Sequence, residues 1–144
     1  PGKTATWQCD FGATLSPSLF AEFATHEVEK ISQYLEYILW HLDAPDPIRM
    51  KQVDILMEIP QIKAIQMPGV DAGYEWLPIL KRVQGKKKSL FTYAANVEEV
   101  KILIEELAPV GLFINYYGPV KTIEEANSLI KLVEKLSCKH KGGD

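Results

Sequence analysis

Apolar residues along the 144-residue chain gather in short dense runs, separated by longer stretches where they recur every three or four positions. The first pattern predicts buried strands and the second amphipathic helices. Ala5-Thr6-Trp7-Gln8-Cys9 reads as a short strand, closed by the turn-forming Asp10-Phe11-Gly12. Ser16-Pro17 then opens a helix. The serine hydroxyl accepts from an amide with no intrahelical partner, and the proline sits where no amide hydrogen is needed. The apolar stripe of this helix is Leu19, Phe20, Phe23, Ala24, Val28, Ile31 and Leu35, and His26 lies off it. Tyr37-Ile38-Leu39-Trp40-His41-Leu42 is a second strand, apolar almost throughout, as in a strand buried on both faces. Asp46-Pro47 opens the next helix by the same logic, running to about Glu58, with Pro60 as its stop.

The alternation continues. Ile62 to Met67 is the third strand, ended by Pro68-Gly69, and a Gly- and Asp-containing loop leads to a helix from about Trp76 to Gln84. Pro78 belongs in its first turn and Gly85 at its end. Ser89 to Tyr93 is the fourth strand. Asn96-Val97-Glu98-Glu99 is a capping box, starting a helix that buries Val100, Leu103, Ile104 and Leu107. Gly111 to Tyr116 is the fifth strand. Thr122-Ile123-Glu124-Glu125 is a second box, leading a helix with Ile123, Ala126, Leu129, Ile130, Val133 and Leu136 inward.

Strands thus begin near residues 5, 37, 62, 89 and 111, at intervals of 32, 25, 27 and 22. The fold class is α/β, with about five consecutive parallel β-α units. Two architectures fit: an open doubly wound sheet, or a partial (β/α)8 barrel of the TIM type. Asp10-Phe11-Gly12-Ala13-Thr14 does not supply the G-x-G-x-x-G of a dinucleotide fold, and no phosphate-binding loop motif is present.

Composition narrows the function classes. At 47% apolar and 24% charged, the chain buries enough surface to offset its ordering entropy, which excludes a disordered tail. No run of about eighteen apolar residues occurs to span a membrane. A net charge of −3 lacks the electrostatic footprint of a nucleic-acid binder. Cys9 and Cys138 are too few for a disulfide framework, so a reducing cytoplasm is the expected setting. No C-x-x-C or H-E-x-x-H pattern marks a zinc site. Lys86-Lys87-Lys88, preceded by Lys81-Arg82, reads as a solvated helix-to-strand connection. Residues 1–137 are expected to form one α/β domain and 138–144 a flexible tail. The chain starts at Pro1 without an initiator Met, and the expectation is a piece of something longer.

Ligands of parallel α/β folds sit at the carboxyl ends of the strands. His41 and Asp43 are the sharpest pair there. At i and i+2 their side chains face the same way, so an imidazole and a carboxylate can share one ligand or one metal. The structural reading is that Asp43 caps the following turn and His41 donates to a carbonyl. Asp10 is a general base or substrate anchor, or simply a turn former. Cys9 reads as a small buried hydrophobe. Gln66 ends the third strand. Tyr93, Asn115, Tyr116 and Tyr117 line a pocket for a flat or carboxylated ligand, or only pack. Trp7, Trp40 and Trp76 are core or loop-lid residues.

Several of these segments, in this order, are similar to one family. Asp10-Phe11 through Leu15-Ser16-Pro17-Ser18-Leu19-Phe20-Ala21-Glu22-Phe23 resembles the D-x(5)-S-P-x-x-F-x-x-F segment of the uroporphyrinogen decarboxylase superfamily. His41-Leu42-Asp43-Ala44 resembles the H-L-D-G strand end of its decarboxylase-like members. Ile59-Pro60-Gln61-Ile62-Lys63-Ala64-Ile65-Gln66-Met67-Pro68-Gly69 resembles their I-P-x-L-x-A-I-Q-W-x-P-G. Trp76-Leu77-Pro78-Ile79-Leu80-Lys81-Arg82-Val83-Gln84, followed by Gly85-Lys86, is similar to their W-L-P-L-x-K-x-I-Q-x-x-G-K. The match spans roughly residues 7 to 136. It departs at Ala44, where Gly is typical, and at Met67, where a Trp and one more residue usually precede the proline.

The resemblance implies the C-terminal part of a (β/α)8 barrel, in a superfamily that decarboxylates uroporphyrinogen or moves methyl groups to and from corrinoid proteins and coenzyme M. It implies a methyltransferase- or decarboxylase-like activity on a small methylated or anionic substrate. His41, Asp43 and Asp10 would be catalytic, and Gln66, Tyr93, Asn115 and Tyr116 would bind substrate. The cofactors it implies are zinc at His41 and Asp43, or a corrinoid carried by a partner protein. In the methyltransferase branch a His-x-Cys strand end binds zinc; here Asp43 stands in place of the cysteine. The rival expectation is a non-catalytic α/β module that assembles with itself or with a missing N-terminal half, presenting exposed apolar sheet edges.

Overall fold

The computed structural model describes residues 3–42 and 47–139. The dense apolar runs are strands: β1 (Thr4–Gln8), β2 (Tyr37–His41), β3 (Ile62–Gln66), β4 (Ser89–Ala94) and β5 (Leu112–Tyr116). The periodic stretches are helices: α1 (Pro17–Ile31), α2 (Pro47–Glu58), α3 (Leu77–Gly85), α4 (Val97–Glu106) and α5 (Ile123–Lys139). All five strands are parallel and lie in one sheet in the order β1-β2-β3-β4-β5. A doubly wound sheet reverses direction at a switch point, and this one does not. The fold is therefore a run of five consecutive β-α units, the arrangement of a partial (β/α)8 barrel.

Sequential order fixes where the helices go. Each right-handed crossover steps to the next strand in the same direction, so every helix falls on one face of the sheet. Neighbours pack in chain order, α1 on α2, α2 on α3 and α4 on α5. The strand register sorts side chains between the two faces. One row reads Trp7, Trp40, Ile65, Leu90 and Leu112 across the sheet, and it faces the helices. Trp40, Ile65 and Leu90 are fully buried there, with Phe20 of α1 edge-on to Trp40 at 5.9 Å. The register slips once between β2 and β3, skipping Lys63. That slip lets Ile62 and Ile65, three apart, both face the helices.

The caps at Ser16, Asn96 and Thr122 form as the sequence predicts, and the Asp46 cap lies outside the described residues. Ser16 Oγ accepts from Leu19 N at 3.3 Å. In both capping boxes the glutamate reaches one residue further back than the cap itself. Glu99 accepts from the Ala95 amide at 2.6 Å, and Glu125 from the Lys121 amide at 2.7 Å.

Other local expectations differ from the structure. Asp10–Thr14 is a 3-10 helix, not a simple turn. Gly85 is the last residue of α3, and the left-handed position that ends the helix is Lys87, at φ 58°. Lys87 N donates to Gln84 O and Lys88 N to Val83 O, the pattern of a Schellman motif. The lysine run is not wholly solvated either. Lys88 is buried, and its Nζ donates to Ile59 O at 2.8 Å and Ile62 O at 2.7 Å. Cys138 lies within α5 on an exposed position, and residues 140–144 fall outside the described part of the chain.

The stripes of the two outermost helices are the largest departure. Leu19 and Phe23 of α1 are exposed, and Ile123 and Ile130 of α5 remain 76% and 56% exposed. The inner helices are flanked on both sides, α3 reaching α4 through the Lys81–Glu106 ion pair, whereas α1 packs chiefly on α2 and α5 on α4. The outer flank of each keeps its apolar residues in solvent.

Candidate functional site

The sheet face opposite the helices carries the chemistry. The row after Trp7–Leu112 reads Gln8, His41, Gln66, Phe91 and Phe113, each in register with the next. It lies at the carboxyl end of β1, β2 and β3, where the first three strands stop. Tyr93 and Asn115 pair in register two residues further along β4 and β5, on the same face. Three hydrogen-bonding side chains thus occupy one half of the row and two aromatic rings the other.

Specific contacts hold this face. Gln8 Nε2 donates to both carboxylate oxygens of Asp10, at 3.1 and 3.2 Å, tying the 3-10 helix to the end of β1. Gln66 Nε2 donates to the Tyr93 hydroxyl across the β3–β4 pair. Phe91 stacks on Phe113 at 4.3 Å with an interplanar angle of 25° and lies tilted against Tyr93 at 5.8 Å.

The β3–α3 loop closes over one side. Asp71 Oδ1 accepts the Gly69 amide at 2.8 Å, and Asp71 Oδ2 accepts the Tyr117 hydroxyl at 3.2 Å. Local desolvation of the hydroxyl and the adjacent Asp71 carboxylate push the Tyr117 phenol above its ordinary pKa, because ionisation would cost solvation and set two negative charges side by side. Gly69 is required by space: a Cβ there would meet Thr92 Oγ1 at 2.3 Å and the Tyr93 carbonyl at 2.9 Å. Asp71 was not among the residues expected from sequence.

The expected site residues divide as follows. Asp10, His41, Gln66, Tyr93 and Asn115 fall at the carboxyl end on or beside the helix-free face. Asp43 lies outside the described residues. Tyr116 is separate: it points to the helix layer and lines an apolar cavity of about 210 Å³ with Val100, Ile104, Leu129 and Val133. The alternation of a strand sends it there while sending Asn115 and Tyr117 the other way. Trp40 and Trp76 are core residues and Trp7 is half-buried.

A thiolate zinc site does not fit this arrangement. Cys9 lines a groove on the helix side with Trp7, Phe20 and Trp40, and Cys138 is exposed on α5. Among the described residues no three His, Cys, Asp or Glu side chains come together as a metal site. No helix among the described residues is long and apolar enough to cross a membrane. No family model, curated protein or solved structure matches the chain.

Proposed function

We propose that this chain is the C-terminal part of a uroporphyrinogen-decarboxylase-like barrel related to the methyltransferases. In this reading it acts on a small methylated or anionic substrate, or on a corrinoid carried by a partner protein, in a reducing cytoplasm. The observation that carries the proposal is the in-register row Gln8–His41–Gln66 at the carboxyl ends of three sequential parallel strands. Parallel barrels bind substrate at that end of that face. His41 serves as the proton-transfer group, and the carboxylates of the site are Asp10, held by Gln8 of the adjacent strand, and Asp43, two residues on in the sequence.

Calorimetric titration with methylcobalamin tests the methyltransferase reading. Saturable binding that weakens at least fivefold in His41→Ala supports it. Heats no different from dilution remove it and leave the second reading. That reading is a non-catalytic module covered by a second copy or by further chain, and the exposed Leu19, Phe23, Ile123 and Ile130 favour it. Light scattering on a sizing column separates the two. A compact monomer whose mass is independent of concentration argues against self-assembly.

A further inference from the structure

We propose that Tyr93 is the hydrogen-bond donor of the carboxyl-end site, and that Gln66 is the positioning residue that turns the Tyr93 proton toward a flat, acceptor-bearing ligand stacked on Phe91 and Phe113. The inference rests on the helix-free face being the ligand site and names the ligand class for it.

Gln66 Nε2 donates to the Tyr93 hydroxyl oxygen. A phenol has a single hydrogen to give, and an oxygen already accepting from Gln66 keeps that hydrogen for something else. Among the described residues no side chain or carbonyl takes it. Tyr117, at the same mouth, is the contrast: its proton goes to Asp71 Oδ2. One tyrosine is committed and the other is available.

The neighbouring surface says what the proton meets. Phe91 lies tilted against Tyr93 at 5.8 Å and stacks on Phe113, which is 56% exposed, so a planar ligand set against this aromatic cluster shares a face with the Tyr93 hydroxyl. Asn115, in register with Tyr93, adds an amide at the rim. Neither Lys nor Arg stands in this part of the two rows, so the pairing offered to the acceptor is between neutral groups. The ligand is a conjugated or aromatic ring bearing a carbonyl-type oxygen.

The test uses three probes titrated into the whole chain and followed by side-chain and backbone NMR shifts. Acetophenone has the ring and an acceptor, toluene the ring alone, and neutral aniline the ring and a donor. The wild type is expected to bind acetophenone roughly three- to tenfold more tightly than toluene, the range of one net neutral hydrogen bond. Tyr93→Phe abolishes that margin and Tyr117→Phe preserves it. Gln66→Glu is the decisive variant. Its carboxylate accepts and cannot donate, so the Tyr93 proton turns to it and the preference inverts toward aniline. A residue that only packs would not invert donor and acceptor preference. If the carboxylate unfolds the chain, Gln66→Leu replaces it, with the margin expected to fall below twofold. A margin that survives Tyr93→Phe, or a Gln66 variant that leaves it intact, overturns the proposal while shifts confined to Gln66, Phe113 and Asn115 keep the site. Absence of saturable shifts there with all three probes overturns the site along with it.

Discussion

Replacing Lys88 with methionine keeps the length of the stem and removes the buried amine. In the native chain Nζ donates to the carbonyls of Ile59 and Ile62, closing the turn between α2 and β3. Ile59 O retains the Ile62 amide at 3.3 Å, so the variant chiefly strips a donor from Ile62 O. A buried acceptor left short of its donor costs about 1–3 kcal/mol, and that is the expected loss at neutral pH. The pH dependence makes the prediction specific. Burial, with Lys63 and Lys86 nearby, holds the Lys88 pKa below its ordinary value, and Glu58 opposes this in part. Between the folded value and 10.5 the unfolded chain binds the proton more tightly than the folded one. Wild-type stability from this group therefore rises with pH in that window, by at most about 1.4 kcal/mol per pH unit. Below the folded value both states are charged and the slope vanishes. Urea melts of wild type and Lys88→Met from pH 7 to 11 read the gap between them directly. The gap should be present at pH 7 and widen toward pH 10.5. A gap that narrows with pH, or none at neutral pH, would refute the assignment of Lys88 as a buried hydrogen-bonded cation.

Four other perturbations follow from local geometry. Lys87→Gly relieves a left-handed non-glycine residue at the end of α3 and should stabilise the chain by about 0.5–1 kcal/mol, seen as a rise of a few degrees in Tm. Thr92→Val should raise stability by about 1 kcal/mol in the same assay, because Thr92 Oγ1 is buried with no hydrogen-bond partner; with Gly69→Ala, the clash with Thr92 and the Tyr93 carbonyl should cost about 1–3 kcal/mol. Asp71→Asn should bring the Tyr117 phenol down toward its ordinary value, read by NMR of labelled tyrosine. Since its folded pKa lies above 10.0, the stability Tyr117 contributes is complete below pH 10.0 and lost as pH rises through the folded value.

The carboxyl-end site was only partly legible from the chain. Strand ends could be found from where apolar runs stop, so His41, Gln66, Tyr93 and Asn115 could be singled out without coordinates. Tyr116 could not be separated from Asn115, because which parity of a strand faces the helices depends on register with its neighbours. Asp71 sits in a loop, where no period reports on position.

The alternation of dense and periodic apolar segments determined the element order, the parallel strands and the helix starts at Ser16, Asn96 and Thr122. These are local matters of hydrophobic period and capping, written within a few residues of where they act. Strand order, the single helix-covered face and the fate of the outer stripes were decided only in three dimensions. A stripe on α1 or α5 looks the same in sequence whether or not a neighbouring helix stands beside it, and burial requires that neighbour. Lys88 carries the same lesson. Its charge reads as solvated from composition, and only the carbonyls of Ile59 and Ile62, brought within 3 Å by the β3–β4 pairing, make its burial possible.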